Sequence, residues 1–248
     1  MNEIARHVVG FARPRSLAVR ASLWALLIGA GTALGAIYLD AHDLGSGAAS
    51  IMLYLVVAAC VVTRVAGSHP HAAFGAANAV TLFRAGLISL IAAVLFAPAL
   101  AGDAAILVCA LAFVALSLDG IDGWLARRSG LASTFGARFD LEIDALFVLI
   151  LAASAYTHDK AGAWVLLIGL MRYAFFFAGR LTSKLEAPLP ESMRRKTVCV
   201  IQIAALALLL LPQIVPPIST WMAAIALLAL AWSFAVDIRF LLRQGQPA

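Results

Sequence analysis

From Thr197 to Val236 the chain runs for 40 residues without an Asp, Glu, Lys or Arg, and the run is interrupted by Pro212-Gln-Ile-Val-Pro216-Pro217. A hydrocarbon core about 30 Å thick is crossed by about 20 apolar residues in helical form, and no other backbone arrangement except a closed barrel satisfies its hydrogen bonds there. Proline cannot continue a helix, so this run is two membrane helices joined by a tight turn. The rest of the sequence has the same character. With 63% hydrophobic and 12% charged residues and a mean hydropathy of +0.97, it leaves room for roughly seven to nine spans and excludes a separate soluble domain.

Two plain spans come first, Ala21 to Leu39 and Leu44 to Thr63, divided by the Asp40-Ala-His-Asp43 turn. The next four are unusual because they carry charge, which is costly at membrane depth unless it is paired or faces a cavity. A helix from about Ala76 to Ala97 contains Arg84, and one from about Ala104 runs on through Asp119, Asp122, Arg127 and Arg128. After a Ser-Gly-Leu-Ala-Ser turn, a helix from about Thr134 to Tyr156 holds Arg138, Asp140, Glu142 and Asp144 in its first half, and a sixth, about Gly162 to Leu181, includes Arg172. A polar link with Lys184, Pro188 and Pro190 leads to Arg194, Arg195 and Lys196 and the final pair. The expected fold is all-α, a polytopic bundle of about eight transmembrane helices.

Alternating the loops places Arg6, Arg13, Arg15, Arg20, Arg64, Arg127, Arg128, Arg180, Lys184, Arg194, Arg195, Lys196, Arg239 and Arg243 on one side and leaves Lys160 on the other. By the positive-inside rule both termini are cytoplasmic. The formal charge of +5 is thus accounted for by topology and anionic headgroups, and no nucleic-acid role is implied. The basic start, residues 1 to 20, suggests an uncleaved signal anchor whose leader lies on the membrane surface or stays disordered. Cys60, Cys109 and Cys199 sit in apolar runs without paired spacing, as packing residues would.

Asp119, Asp122, Ala126 and Arg127 fall on one helical face, and Gly136, Asp140 and Asp144 fall on one face of the next helix. Because the two helices are antiparallel with a short turn, Asp122 and Asp140 lie at similar depth and Asp119 and Asp144 about a turn deeper. Four converging carboxylates repel one another unless cations sit between them. All-oxygen ligands select Mg²⁺ or Mn²⁺, and four suit two ions better than one. A phosphate or diphosphate typically completes such a site. Gly123, Ala126 and Gly136 leave space for a ligand beside the acids, though close helix packing is the other reading of small residues. Salt bridges to Arg84, Arg138 and Arg172, or a cation path, are the other readings of the acids.

Asp119-x-x-Asp122-Gly123-x-x-Ala126-Arg127, eight residues, then Gly136-x-x-x-Asp140-x-x-x-Asp144 is similar to the complete signature of the CDP-alcohol phosphatidyltransferases. Asn78-Ala-Val-Thr81-Leu-Phe-Arg84 resembles the opening of that family's first core helix. The resemblance divides the chain into residues 1–70, a leader with two extra helices that carry no candidate for chemistry, and a six-helix catalytic core, residues 71–248. It implies transfer of a phosphatidyl group from CDP-diacylglycerol to an alcohol, with release of CMP and two divalent ions as cofactors. Asp119, Asp122, Asp140 and Asp144 would hold the metals, and Asp144 would also take the proton from the attacking hydroxyl. Gly123, Ala126, Arg127 and Gly136, helped by Asn78, Thr81 and Arg84, would contact the cytidine diphosphate.

For the acceptor, Arg172, Arg194, Arg195 and Lys196 suit a phosphorylated polyol such as glycerol 3-phosphate or inositol phosphate, with topological charge as the competing explanation. Lys196-Thr197 followed by Gln202 is only loosely like the Lys-Thr-x-x-Gln run of phosphatidylglycerophosphate synthases. The rival within the family is a small CDP-alcohol donor with diacylglycerol as acceptor; outside it, a divalent-cation transporter. The setting implied is a bacterial cytoplasmic membrane with the active site facing the cytoplasm, and a homodimer is compatible with it. The histidines, His69 and His71 among them, have no assigned chemistry.

Overall fold

The computed structural model describes residues 14–42, 45–69, 71, 73–97, 102–181 and 192–244, and among these every regular element is helical. The basic leader up to residue 13 and the Lys184-Pro188-Pro190 link lie outside the described residues. Eight α-helices follow one another: α1 (Pro14–Ala41), α2 (Gly47–Ser68), α3 (Ala76–Ala92), α4 (Gly102–Ser129), α5 (Thr134–Thr157), α6 (Leu166–Leu181), α7 (Met193–Leu209) and α8 (Ile218–Gln244). Short 3-10 turns extend α3 through Phe96 and precede α6. Residues 14 to 20 belong to α1, not to a separate surface segment. Pro14 suits the first turn, where its missing N–H costs nothing.

Six of the helices are long and apolar enough to cross a membrane, which makes this an integral membrane protein. The two that fall short do so for identifiable reasons. α5 carries Asp140, Glu142 and Asp144 within its span, and α7 has 17 residues and opens with three basic ones. The outward faces carry exposed large side chains such as Leu26, Leu34, Trp221 and Leu228, a surface suited to lipid and not to water.

α3 is the central element. It packs against α1, α2, α4 and α5, and twelve of its 17 residues are buried, among them Asn78, Thr81 and Arg84. α7 packs against α4, α5 and α8, closing the other side of the bundle. Small residues permit these approaches: a methyl group on Gly86 of α3 would come within 2.7 Å of Thr32 Oγ1 on α1.

The helix ends are set by local chemistry. Ser46 caps α2 and Ser133 caps α5 by accepting the amides of Ala49 and Gly136, at 3.3 and 3.0 Å. α4 ends with Arg127 and Arg128 in its last turn, where cations complement the helix dipole, and Gly130 follows at φ 66°, a backbone conformation that favours glycine. Lys160 is buried in the α5–α6 loop, and its ammonium donates to the carbonyls of Leu211 and Ile214, both at 2.9 Å, which ties that loop to the turn between α7 and α8.

Candidate functional site

The short connection from α4 to α5 turns the chain back, and the two signature helices each pack on α3 and on α7. Asp119 and Asp122 come from the second half of α4, Asp140 and Asp144 from the first half of α5. The four acids converge, as the spacing predicts, and they do so on Arg84 of α3, the ion pairing that the competing reading of the acids named. Arg84 Nη1 lies 3.1 Å from Asp119 Oδ1, 2.9 Å from Asp122 Oδ2 and 2.7 Å from Asp140 Oδ1, while Nη2 lies 2.5 Å from Asp144 Oδ1. Its Nε donates to Ala115 O at 3.2 Å, so the guanidinium is held by backbone as well as by charge. Arg84 therefore has the partners that an arginine at membrane depth requires.

Exposure divides the acids. The side chains of Arg84 and Asp122 are 0% and 4% exposed, whereas those of Asp119, Asp140 and Asp144 are 33%, 34% and 20% exposed, so the site opens on the side of these three. Each of the three offers a carboxylate oxygen within 4.8 Å of the others. Asp122 lies behind them, its Oδ2 also 3.1 Å from Thr81 Oγ1. Were all four carboxylates ionised, the one guanidinium among them would leave a surplus of three negative charges. The chemistry of the donor set fits a hard divalent cation, and the Asp119–Asp140–Asp144 triad is able to hold one.

The glycines differ in what surrounds them. Beside Gly123 a methyl group would meet only Arg127 Nη1, at 3.4 Å, so the face of α4 next to the acids is open apart from that side chain. Gly136 is different: a methyl group there would approach Asn78 Oδ1 to 2.8 Å and Ser133 Oγ to 3.3 Å. Here the small residue permits close packing of α5 on α3 and does not open a space. Asn78 Nδ2 donates to Phe74 O at 2.5 Å, which turns its Oδ1 toward Gly136. Ala126 is half-buried and Arg127 exposed on the same stripe as Asp119 and Asp122.

The basic residues expected near an acceptor are not equivalent. Arg194 is committed to α8, with Nη1 2.6 Å from Ser233 O and 2.5 Å from Ser233 Oγ and Nη2 2.5 Å from Asp237 Oδ1. Arg195 Nη1 lies 3.8 Å from the same carboxylate oxygen, and Arg172 lies 4.0 Å from Glu142 of α5. Arg138 and Lys196 are exposed.

One group beside the site is invisible to motif reading. His69, the C-cap of α2, is buried at 8% exposure, with Nδ1 2.9 Å from Ser133 Oγ and Nε2 3.0 Å from Ala73 O. Ser133 before a helix is recognisable as a cap, but nothing in the sequence joins it to a histidine 64 positions earlier.

The family model of the CDP-alcohol phosphatidyltransferases matches residues 74–236, a span that holds all four acids and Arg84. No curated protein and no solved structure matches the chain.

Proposed function

The chain belongs to the CDP-alcohol phosphatidyltransferase family, enzymes that move a phosphatidyl group from a CDP-alcohol to an acceptor, and from that premise we propose that its donor is CDP-diacylglycerol and its acceptor a phosphorylated polyol. Glycerol 3-phosphate and inositol phosphate are examples of such an acceptor. The observation that carries the reading is the convergence of four acids from α4 and α5 on one side of Arg84, three of them open to a ligand.

In this reading Asp119, Asp122, Asp140 and Asp144 hold two divalent ions, Mg²⁺ or Mn²⁺. Such ions, when bound, grip the donor's diphosphate and offset the charge that grows on the departing CMP. The residues do the rest. Gly123 and Ala126 leave room for the cytidine diphosphate along α4, Arg127 and Gly136 border it, and Asn78, Thr81 and Arg84 hold the acids and the first turn of α5 in register. The acceptor oxygen attacks the phosphorus that carries the diacylglycerol, the bond from that phosphorus to the CMP oxygen breaks, and the acceptor's proton passes to Asp144. The products are a phosphatidyl ester and CMP.

A phosphate on the acceptor is favoured by the start of α7. Arg194, Arg195 and Lys196 occupy its first turn, with no acid there, although cations at a helix N-terminus oppose its dipole. An anion bound there relieves that opposition. Arg195, Lys196 and Arg172 are the groups to contact it, with Arg194 anchoring the turn to α8. The division at residues 70 and 71, the cytoplasmic placement of both termini and of the site, and a bacterial cytoplasmic membrane belong to the same proposal. The test is CMP release by purified protein from CDP-diacylglycerol with a panel of alcohols, beside a small CDP-alcohol with diacylglycerol. Turnover with a phosphorylated polyol supports the reading, and turnover confined to the second pair reverses donor and acceptor.

A further inference from the structure

His69 stands where the first two helices meet the signature helices. A carbonyl only accepts hydrogen bonds, so the 3.0 Å contact with Ala73 O places a proton on Nε2. The neutral ring then presents a bare Nδ1, which accepts the hydroxyl proton of Ser133 at 2.9 Å. With its proton so directed, the Ser133 oxygen turns its lone pairs to the amide of Gly136, 3.0 Å away, and closes the first turn of α5. The ring also packs edge-on against Phe135, at a centroid distance of 5.8 Å. From the other side, Asn78 of α3 presses on Gly136. Asp140 follows Gly136 by one turn and Asp144 by two, so whatever sets the rotation and depth of that first turn sets where these carboxylates stand.

We propose that His69 is a positioning residue for this site: through Ser133 it fixes the first turn of α5, and thereby holds Asp140 and Asp144 in register with Arg84 and Asp119. The proposal rests on the reading of these acids as the reaction centre. It gives the first two helices a part in catalysis, since His69 ends α2. The hydrogen-bonded path His69, Ser133, Gly136 has one link at each step, so removing either of the first two breaks that path, beside which the ring's contact with Phe135 stands apart.

The test uses the full chain in lipid nanodiscs and two measurements, hydrogen exchange in peptides covering residues 133–140 and CMP release from CDP-diacylglycerol per folded protein. His69→Leu is expected to speed exchange in the first turn of α5 by roughly 2- to 30-fold, the usual worth of an N-cap, and to slow CMP release. His69→Gln, whose amide both donates and accepts, is expected to restore both. In a Ser133→Ala background, His69→Leu is expected to add less than it costs in wild type, because the hydrogen-bonded path is already cut and only the ring's contact with Phe135 remains to lose. Additive effects of the two substitutions, or unchanged exchange in His69→Leu, overturn the proposal. If His69→Leu does not fold, His69→Phe decides in its place, since it keeps a ring against Phe135 but accepts no hydrogen bond: unchanged exchange and turnover overturn it equally. A wild-type protein that releases no CMP refutes the functional reading, while the exchange measurement still decides the role of His69.

Discussion

Arg84 is fully buried, and its charge is balanced by acids from two other helices. Removing one partner of a buried pair leaves the rest uncompensated, which costs about 3–5 kcal/mol. Arg84→Met is therefore expected to lower the unfolding temperature strongly in the presence of a chelator. Mg²⁺ or Mn²⁺ should recover more stability for this variant than for wild type, because the freed carboxylates then have a cation. Thermal unfolding with and without metal checks this: equal metal effects on the two proteins would deny that Arg84 and the metal share these carboxylates, and no metal effect on either would deny a metal to the acids. The basic residues at the start of α7 make a contrasting pair of cases. A charge-assisted contact is worth about 1.5–3 kcal/mol, so Arg195→Gln or Lys196→Gln should raise the acceptor KM by about tenfold or more and leave the donor KM unchanged. Arg194→Gln should instead cost stability, since Arg194 is bound to Ser233 and Asp237 of α8. Measuring both KM values beside the unfolding temperature separates the roles.

At the scale of the element, the first turn of α5 is expected to respond to pH through His69. Burial, followed at a distance by the nearby His71, holds the imidazole below its ordinary value of 6.5, against the carbonyl of Ala73, which raises it. The neutral form is thus the one the fold favours. The stability it lends is complete above pH 6.5 and is lost as pH falls through the lower folded value, because the unfolded chain takes up the proton first. Corrected for the intrinsic rate at each pH, the protection of the α5 amides should accordingly fall on acidification in wild type and less so in His69→Gln. Helical spacing alone brought Asp119, Asp122, Asp140 and Asp144 to one place, since periodicity of 3.6 and a short turn leave them little freedom. It offers Arg84 only as one of three arginines that could pair with them and does not single it out, because helix order in space is set by packing between distant segments. For the same reason the spacing leaves Gly136 beside open space where the structure has none: what opposes a glycine depends on which helix is next to it, here α3 with Asn78.

Across the whole molecule, the eight helices follow from apolar length and proline placement, and α3 at the centre from no local pattern at all. The apolar character of α1 and α2 gives them no chemistry of their own. Yet both pack on α3, and α2 ends on His69, so deleting residues 1–70 is expected to lower turnover of correctly inserted protein, which CMP release from the truncated chain checks. The central claim is that the acids gathered around Arg84 form a metal-dependent phosphatidyl-transfer site. It is tested most directly by CMP release from CDP-diacylglycerol and a phosphorylated polyol, comparing wild type with Asp119→Asn and Asp140→Asn, each with Mg²⁺ or Mn²⁺ and with chelator. Wild type is expected to release one CMP for each phosphatidyl ester formed, only with metal, and both variants to remain folded and release none. Near-normal, metal-dependent turnover in either variant, or wild-type turnover that survives the chelator, would contradict the account.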